Sequence, residues 1–136
     1  MSINLTPRMK NWINENGVHI AFATKKGFPT VIVTETAKVD DYTILISLTQ
    51  SQANQIENIV LENPYAAVAP GQLGSVRAPY QFKGSAELWK NKLEIKVEEV
   101  YCTKPGAEAG IRLDTLGYEA MKDYEESRWM DLAPKA

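Results

Sequence analysis

The chain has 136 residues, a formal net charge of −2 and a single cysteine. This length predicts one domain, residues 1–136, because domains are typically about 100–200 residues long. The slight negative charge and the scattered lysines and arginines argue against a nucleic-acid partner. The lone Cys102 excludes an internal disulfide, and no stretch approaches the roughly 18 apolar residues of a membrane span. We therefore expect a soluble, cytoplasmic protein that has no membrane partner.

Histidine and cysteine are too scarce for most catalytic and metal sites. His19 and Cys102 are the single residues of their kinds. Zinc-type metal sites and Ser-His-Asp or Cys-His nucleophilic machinery need more than this, unless His19 is the sole base. We therefore expect no metal, and if the protein is an enzyme, we expect a cofactor to carry the chemistry.

The N-terminal segment, residues 1–17, predicts a helix. Thr6 is placed to cap the helix, Pro7 occupies its first position and Gly17 follows its end. The next stretch, residues 18–24, alternates large residues with His19 and small residues, which is typical of a strand. Within it, we interpret His19 as a packed core or interface side chain, with proton donation to a ligand as the alternative.

Six strands are predicted in all, and a helix lies between the third and the fourth. The strands are residues 18–24, 30–39, 42–48, 65–69, 80–89 and 93–102. Gly84, in the middle of the fifth strand, predicts a bulge. Residues 104–136 predict a helix over 114–127 and a short tail. This succession indicates a mainly β fold with peripheral helices, a small antiparallel barrel, whose narrow interior we expect to be filled by Ala21, Ala23, Ala67 and Ala69.

The corner between the third strand and the central helix is rich in polar side chains. Thr49, Gln50 and Ser51 precede the helical pattern of residues 52–63, which ends before Pro64. A hydroxyl here can cap the helix, and the unpaired amides of a helix N-terminus can also bind an anion or phosphate. Capping by Thr49 or Ser51 is the simpler interpretation.

The order of several short segments resembles the FMN-binding split barrel of the pyridoxamine 5′-phosphate oxidase-like superfamily. The resemblance covers roughly residues 8–103 and rests on Glu15-Asn16-Gly17-Val18, Ala21-Phe22-Ala23-Thr24, Gly27-Phe28-Pro29, residues 54–64 and Lys83-Gly84-Ser85-Ala86-Glu87. It implies a six-stranded antiparallel split β-barrel. It also implies a homodimer that holds two copies of flavin mononucleotide (FMN) at the subunit interface.

The resemblance also implies a set of cofactor-binding residues. The flavin ring would lie along the second strand and the residues after it, Val33, Thr34, Glu35 and Thr36. The ribityl chain and phosphate would meet the corner, at Thr49, Gln50, Ser51 and Asn54. Lys38 or Arg77 would supply positive charge, with a solvated loop cation as the alternative for Arg77. From the residues themselves, Trp129 is a candidate for stacking on the ring, with packing as the simpler interpretation. The sequence departs from the family at the corner, where Gln50 stands in place of the usual lysine.

Two functions are consistent with this pattern. The first is an FMN-dependent oxidoreductase that passes hydride or electrons between a donor and a small molecule. The second is a non-catalytic dimeric module with an eroded FMN site, which holds a deazaflavin, haem, a nucleotide or no ligand. In either case, residues 114–136 are candidates to cover the partner subunit's pocket.

Overall fold

The computed structural model describes residues 3–71, 79–103 and 109–128. Arg77 and Trp129 lie outside these ranges. In chain order, the elements are α1 (Pro7–Asn16), β1 (Val18–Ala23), β2 (Pro29–Thr34), β3 (Ala37–Val39), β4 (Thr43–Ser47), α2 (Gln50–Glu62), β5 (Tyr65–Pro70), β6 (Tyr80–Trp89), β7 (Lys92–Cys102), a short 3-10 helix (Asp114–Leu116) and α3 (Tyr118–Arg128).

Local signals determine both ends of α1, as predicted. The Thr6 hydroxyl accepts a hydrogen bond from the backbone N–H of Met9 at 3.3 Å, and Pro7 occupies the first turn. Gly17 has φ 70°, and a Cβ at this position would collide with the carbonyl oxygen of Thr34. Glycine is therefore required where α1 turns into β1.

The strands form one antiparallel sheet whose two edges are joined by two residues. The strand order is β2-β1-β5-β6-β7-β4-β3, so β2 and β3 are opposite edges. In a flat seven-stranded sheet these edges would be roughly 29 Å apart. The three Cα–Cα steps from Thr34 to Ala37 span at most about 11 Å. The sheet must therefore curl into a barrel.

The predicted second strand, residues 30–39, is consequently divided in two. Its first half pairs with β1, its second half pairs with β4, and Glu35 and Thr36 form the crossover between them. Counted through this crossover, the barrel has the six strands predicted from the sequence.

Large side chains fill the barrel. They include Val18, Ile20 and Phe22 of β1, with Val68, Phe82, Ile95 and others from the facing strands. The prediction that the four alanines line the interior is wrong. Ala21, Ala23, Ala67 and Ala69 alternate with buried neighbours and lie on the outer surface of the sheet. The larger residues of β1 and β5 take the inner face because burying them removes more apolar area from water.

The long hairpin of β6 and β7 contains the predicted bulge. The pairing register shifts between Lys83 and Gly84, and a Cβ on Gly84 would collide with the carbonyl oxygen of Lys96. The absence of a side chain lets the two backbones approach closely at this bend of the barrel wall.

The C-terminal segment differs from the single helix predicted over 114–127. Gly117, at φ 88°, separates the 3-10 helix from α3. Met121 is buried, whereas Leu116 and Ala120, which share the predicted helical spacing, are exposed. The break at Gly117 changes the direction of the chain between the 3-10 helix and α3, so a single apolar stripe does not run along both helices.

Candidate functional site

Thr49 caps α2 through a reciprocal pair of hydrogen bonds. Its hydroxyl accepts from the Gln52 N–H at 3.1 Å, and its own N–H donates to Gln52 Oε1 at 3.0 Å. The next predicted ligand, Gln50, donates from Nε2 to Asn54 Oδ1 at 2.8 Å. Ser51 is exposed beside them. Three of the four predicted corner residues are therefore engaged with the helix itself, which agrees with the simpler interpretation of this corner as a cap.

Gln52 also joins the corner to the predicted ring-binding strand. Its Nε2 donates to the carbonyl oxygen of Val33 at 2.9 Å. The N–H and C=O of one strand residue point to the same side, so the Val33 N–H also points away from β1, toward the open edge of β2. The two predicted halves of the site, strand and corner, thus lie side by side.

The remaining strand residues differ in what they offer to a ligand. Thr34 is buried, and its hydroxyl is directed at the carbonyl oxygen of Val18 at 3.5 Å. Its side chain therefore faces the barrel interior. Glu35 and Thr36, which form the crossover, are exposed. The outward-facing groups along this path are the Val33 backbone and the side chains of the crossover.

A cavity of about 500 Å³ lies beyond the crossover, on the outer face of β3, β4, β6 and β7. Two predicted residues, Thr36 and Lys38, line it together with Ser47, Trp89 and Lys92. The Nζ of Lys92 donates to the Ser47 hydroxyl at 3.2 Å. Glu87 and Glu94 also line the cavity, so two lysines are balanced by two carboxylates.

Sequence reasoning missed Lys92. On the chain it is one polar position of an alternating strand, 45 residues after Ser47. The pairing of Ser47 with Lys92 depends on the register between β4 and β7, which the sequence alone does not reveal.

The outer face of β2, β1 and β5 is largely apolar. Ala21 lies between Val31 and Ala67, and the adjoining row runs from Val33 through His19 to Ala69. Several large apolar side chains on and beside this face are exposed, namely Val31 (49%), Tyr65 (63%) and Phe28 (68%). An apolar face of this kind commonly marks an interaction surface.

His19 is half-buried on the same outer face. Its Nδ1 lies 2.9 Å from the carbonyl oxygen of Gly71. A carbonyl only accepts, so Nδ1 carries a proton and donates to it. This contact satisfies the His19 ring within the chain, which agrees with its interpretation as a packed core or interface side chain.

A buried carboxylate connects both termini of the chain to the barrel. Glu125 of α3 is 3% exposed and accepts hydrogen bonds from the Thr6 hydroxyl, at 2.8 Å, and from the Tyr80 hydroxyl. Burial raises the pKa of Glu125 above its ordinary value, against the opposing effect of these hydrogen bonds and of Arg8. The pKa of Tyr80 is also raised, first by burial and then by the neighbouring carboxylate. Glu125 was not among the predicted residues, although its spacing of four from Met121 places both on one helix face.

Two further searches concern the described residues only. Across residues 3–71, 79–103 and 109–128, no three His, Cys, Asp or Glu side chains group in a way that could hold a metal ion. In the same ranges, no helix is long and apolar enough to cross a membrane.

Sequence comparison finds a curated relative of the chain. No protein-family model matches. Over 98 residues the chain is 31% identical to an uncharacterized protein of Methanocaldococcus jannaschii, and this alignment covers 71% of the chain. The chain spans 64% of the length of that relative.

Solved structures share the fold at low sequence identity. HupZ of Group A Streptococcus has a TM-score of 0.60 at 21% identity, covering 78% of this chain and 99% of that one. A protein of Lactobacillus delbrueckii assigned as a candidate pyridoxamine 5′-phosphate oxidase has a TM-score of 0.58 at 18% identity, covering 74% and 99%. An FMN-binding protein of Syntrophomonas wolfei has a TM-score of 0.54 at 9% identity, covering 69% and 82%.

The curled antiparallel sheet, with its crossover at Glu35 and Thr36, is the part of the chain that shares its fold with these structures. The chain therefore has the split-barrel fold of the pyridoxamine 5′-phosphate oxidase-like superfamily, as its sequence predicted.

Proposed function

We propose that the chain, acting as a single domain, binds FMN and serves as a flavin-dependent oxidoreductase on a small molecule. The observation that carries this proposal is the Gln52–Val33 hydrogen bond, which holds the open edge of β2 beside the start of α2. An edge with outward backbone groups suits the carbonyls and ring nitrogens of a flavin, and a cavity lined by Thr36 and Lys38 lies beyond the crossover that follows this edge. When bound, the flavin would supply the hydride or electron transfer.

The proposed binding residues divide into three groups. The ring would lie along the backbone of Val33, Thr34, Glu35 and Thr36. The ribityl chain and phosphate would meet Lys38, Thr49, Gln50, Ser51 and Asn54. Arg77 and Trp129, outside the described residues, complete the proposed set. The cavity of about 500 Å³ is within the range of roughly 300–1,000 Å³ that is usual for small-molecule sites.

A second copy of the chain is the proposed partner. The outer face of β2, β1 and β5 carries four alanines, and such small side chains let another sheet approach closely. Exposed Val31 and Tyr65 would be covered by this contact. The proposed dimer would place the open edge of β2 next to its own interface, so the partner would form one wall of the flavin site.

A non-catalytic binding module is the second candidate, and the geometry of the corner favours it. Thr49 is hydrogen-bonded to Gln52 as the cap of the helix. The side chains of Gln50 and Asn54 are hydrogen-bonded to each other. The first turn of α2 reads Gln50-Ser51-Gln52-Ala53 and holds no basic residue. A corner so occupied would bind the FMN phosphate weakly, and the barrel would then hold a deazaflavin, haem or a nucleotide in place of FMN, or no ligand.

Titration with FMN tests the proposal. The fluorescence of FMN should fall as it binds the protein, and this decrease should saturate as protein is added. Val33→Pro removes the outward N–H without breaking the β1 ladder, because proline is tolerated where the N–H faces away from the sheet. Loss of one hydrogen bond should weaken FMN binding by about 3- to 10-fold. Val33→Ala, which shortens the same side chain and keeps the N–H, is the matched control and should bind normally. A wild-type protein that leaves FMN fluorescence unchanged at millimolar concentration would overturn the proposal.

A further inference from the structure

Lys92 is the first residue of β7, and the sheet register holds it opposite Ser47 of β4. Its ammonium donates to the Ser47 hydroxyl at 3.2 Å. Because Ser47 accepts this bond through oxygen, its own hydroxyl hydrogen can donate to a further acceptor. Lys92 likewise has two more N–H groups to offer. The pair therefore presents several donors to one point of the cavity.

The neighbouring residues place this pair at one end of the cavity. Trp89 lies opposite Lys92 on β6, and Thr36, one residue before β3 begins, lies beyond Ser47 on the same row. The two carboxylates occupy the adjoining row, where Glu94 pairs with Leu45 and with Glu87. Lys38 stands on that same adjoining row, opposite Leu45, and partly offsets the two carboxylates. The Ser47–Lys92 row has an ammonium and no carboxylate, so it is the row that favours an anion.

The start of α2 adds to this preference. Ser47 lies two residues before Thr49, the N-cap of α2. The positive end of the helix dipole is thus close in the chain to the donor pair, and it favours a negative group nearby. A hydrogen-bonded ammonium and hydroxyl thus stand two residues along the chain from the start of α2, where the predicted corner has no lysine of its own.

We propose that Lys92, with Ser47 and Thr36, binds the phosphate group of a phosphorylated ligand. This inference rests on the proposed function and names the cation that the corner lacks. A phosphate monoester carries between one and two negative charges near pH 7, and its oxygens accept charge-assisted hydrogen bonds from an ammonium. Trp89, 73% exposed beside Lys92, would shield one side of the phosphate from water.

The experiment compares FMN with riboflavin, which is the same ring and chain without the phosphate. The ratio of the riboflavin Kd to the FMN Kd measures recognition of the phosphate alone. Lys92→Gln should lower this ratio about tenfold or more, the range expected for a charge-assisted hydrogen bond. Lys92→Arg keeps the positive charge and should retain most of the wild-type ratio. Lys96→Gln, which changes an exposed lysine of the same strand outside the cavity, is the matched control and should leave the ratio within about twofold.

The outcomes separate this inference from the proposed function. If FMN binds and Lys92→Gln keeps the wild-type ratio, the phosphate site is refuted and the flavin function stands. If neither flavin binds, the flavin function is refuted, and NMR titration with inorganic phosphate decides the site. A saturable shift of the Ser47 and Lys92 amides, abolished in Lys92→Gln, would retain the site for another phosphorylated ligand, and no shift would refute it.

Discussion

Replacing Thr6 should destabilise the protein through two hydrogen bonds at once. The Thr6 hydroxyl accepts from the Met9 N–H as the cap of α1 and donates to the buried Glu125 carboxylate. Loss of an N-cap costs about 1 kcal/mol, and loss of a hydrogen bond to a charged group costs about 1.5 kcal/mol or more. Thr6→Ala should therefore lower the free energy of unfolding by about 2.5 kcal/mol through the hydroxyl alone.

Thr6→Ser separates the hydroxyl from the methyl group. Serine keeps both hydrogen bonds and loses one methyl from a fully buried position, which costs about 1 kcal/mol. Thr6→Ala, which loses both groups, should cost about 3.5 kcal/mol by the same reasoning. Urea denaturation followed by circular dichroism gives both values. Equal destabilisation by serine and alanine would refute the role of the hydroxyl.

Three further predictions concern other contacts of the fold. Because burial raises the pKa of Glu125 above its ordinary value, the stability it contributes is present below that value and is lost as pH rises through the folded-state pKa. Glu125→Gln should remove this loss, so that the urea midpoints of the variant and the wild type diverge as pH rises above the ordinary pKa of a glutamate, and parallel midpoints would contradict it. Gln52→Glu keeps an acceptor for the cap of α2 but loses the donor to the Val33 carbonyl. It should weaken flavin binding about 3- to 10-fold while circular dichroism shows α2 intact. Unchanged flavin affinity would argue against the β2 edge as the site of the ring. Gly84→Ala should cost roughly 3 kcal/mol or more in a urea titration, since its Cβ would meet the Lys96 carbonyl, and a cost below about 1 kcal/mol would show that the hairpin relaxes.

The sequence predicted best where a short stretch of chain carries the whole signal. Thr6, Pro7 and Gly17 each act within one helical turn, so both ends of α1 were predicted from neighbouring residues. Gly84 likewise marked its bulge, because a glycine within an alternating strand is typical of a bulge or of two backbones in close approach.

Predictions failed where distant parts of the chain decide the outcome. Residues 30–39 have a continuous strand pattern, so the sequence predicted one strand. The bend and crossover at Glu35 and Thr36 arise because the chain passes there from one edge of the curled sheet to the other. The alanines of β1 and β5 were assigned to the wrong face. Alternation separates the two faces of a strand but does not say which one is inside, and the larger residues determine that choice.

The candidate site shows the same division. The strand and corner could be predicted as neighbours, and the Gln52–Val33 bond joins them. Lys92 could not be predicted as part of the site, because it meets its partner Ser47 only through the register between β4 and β7. Glu125 was missed since charged residues are seldom buried, and its burial depends on donors from Thr6 and Tyr80.

Native mass spectrometry of the protein after incubation with FMN and removal of free ligand tests the central claim most directly. It reports the number of chains and of flavins in a single mass. We predict a particle of two chains and two FMN molecules. A single chain without flavin, or a dimer that retains haem, a deazaflavin or a nucleotide but no FMN, would contradict the claim.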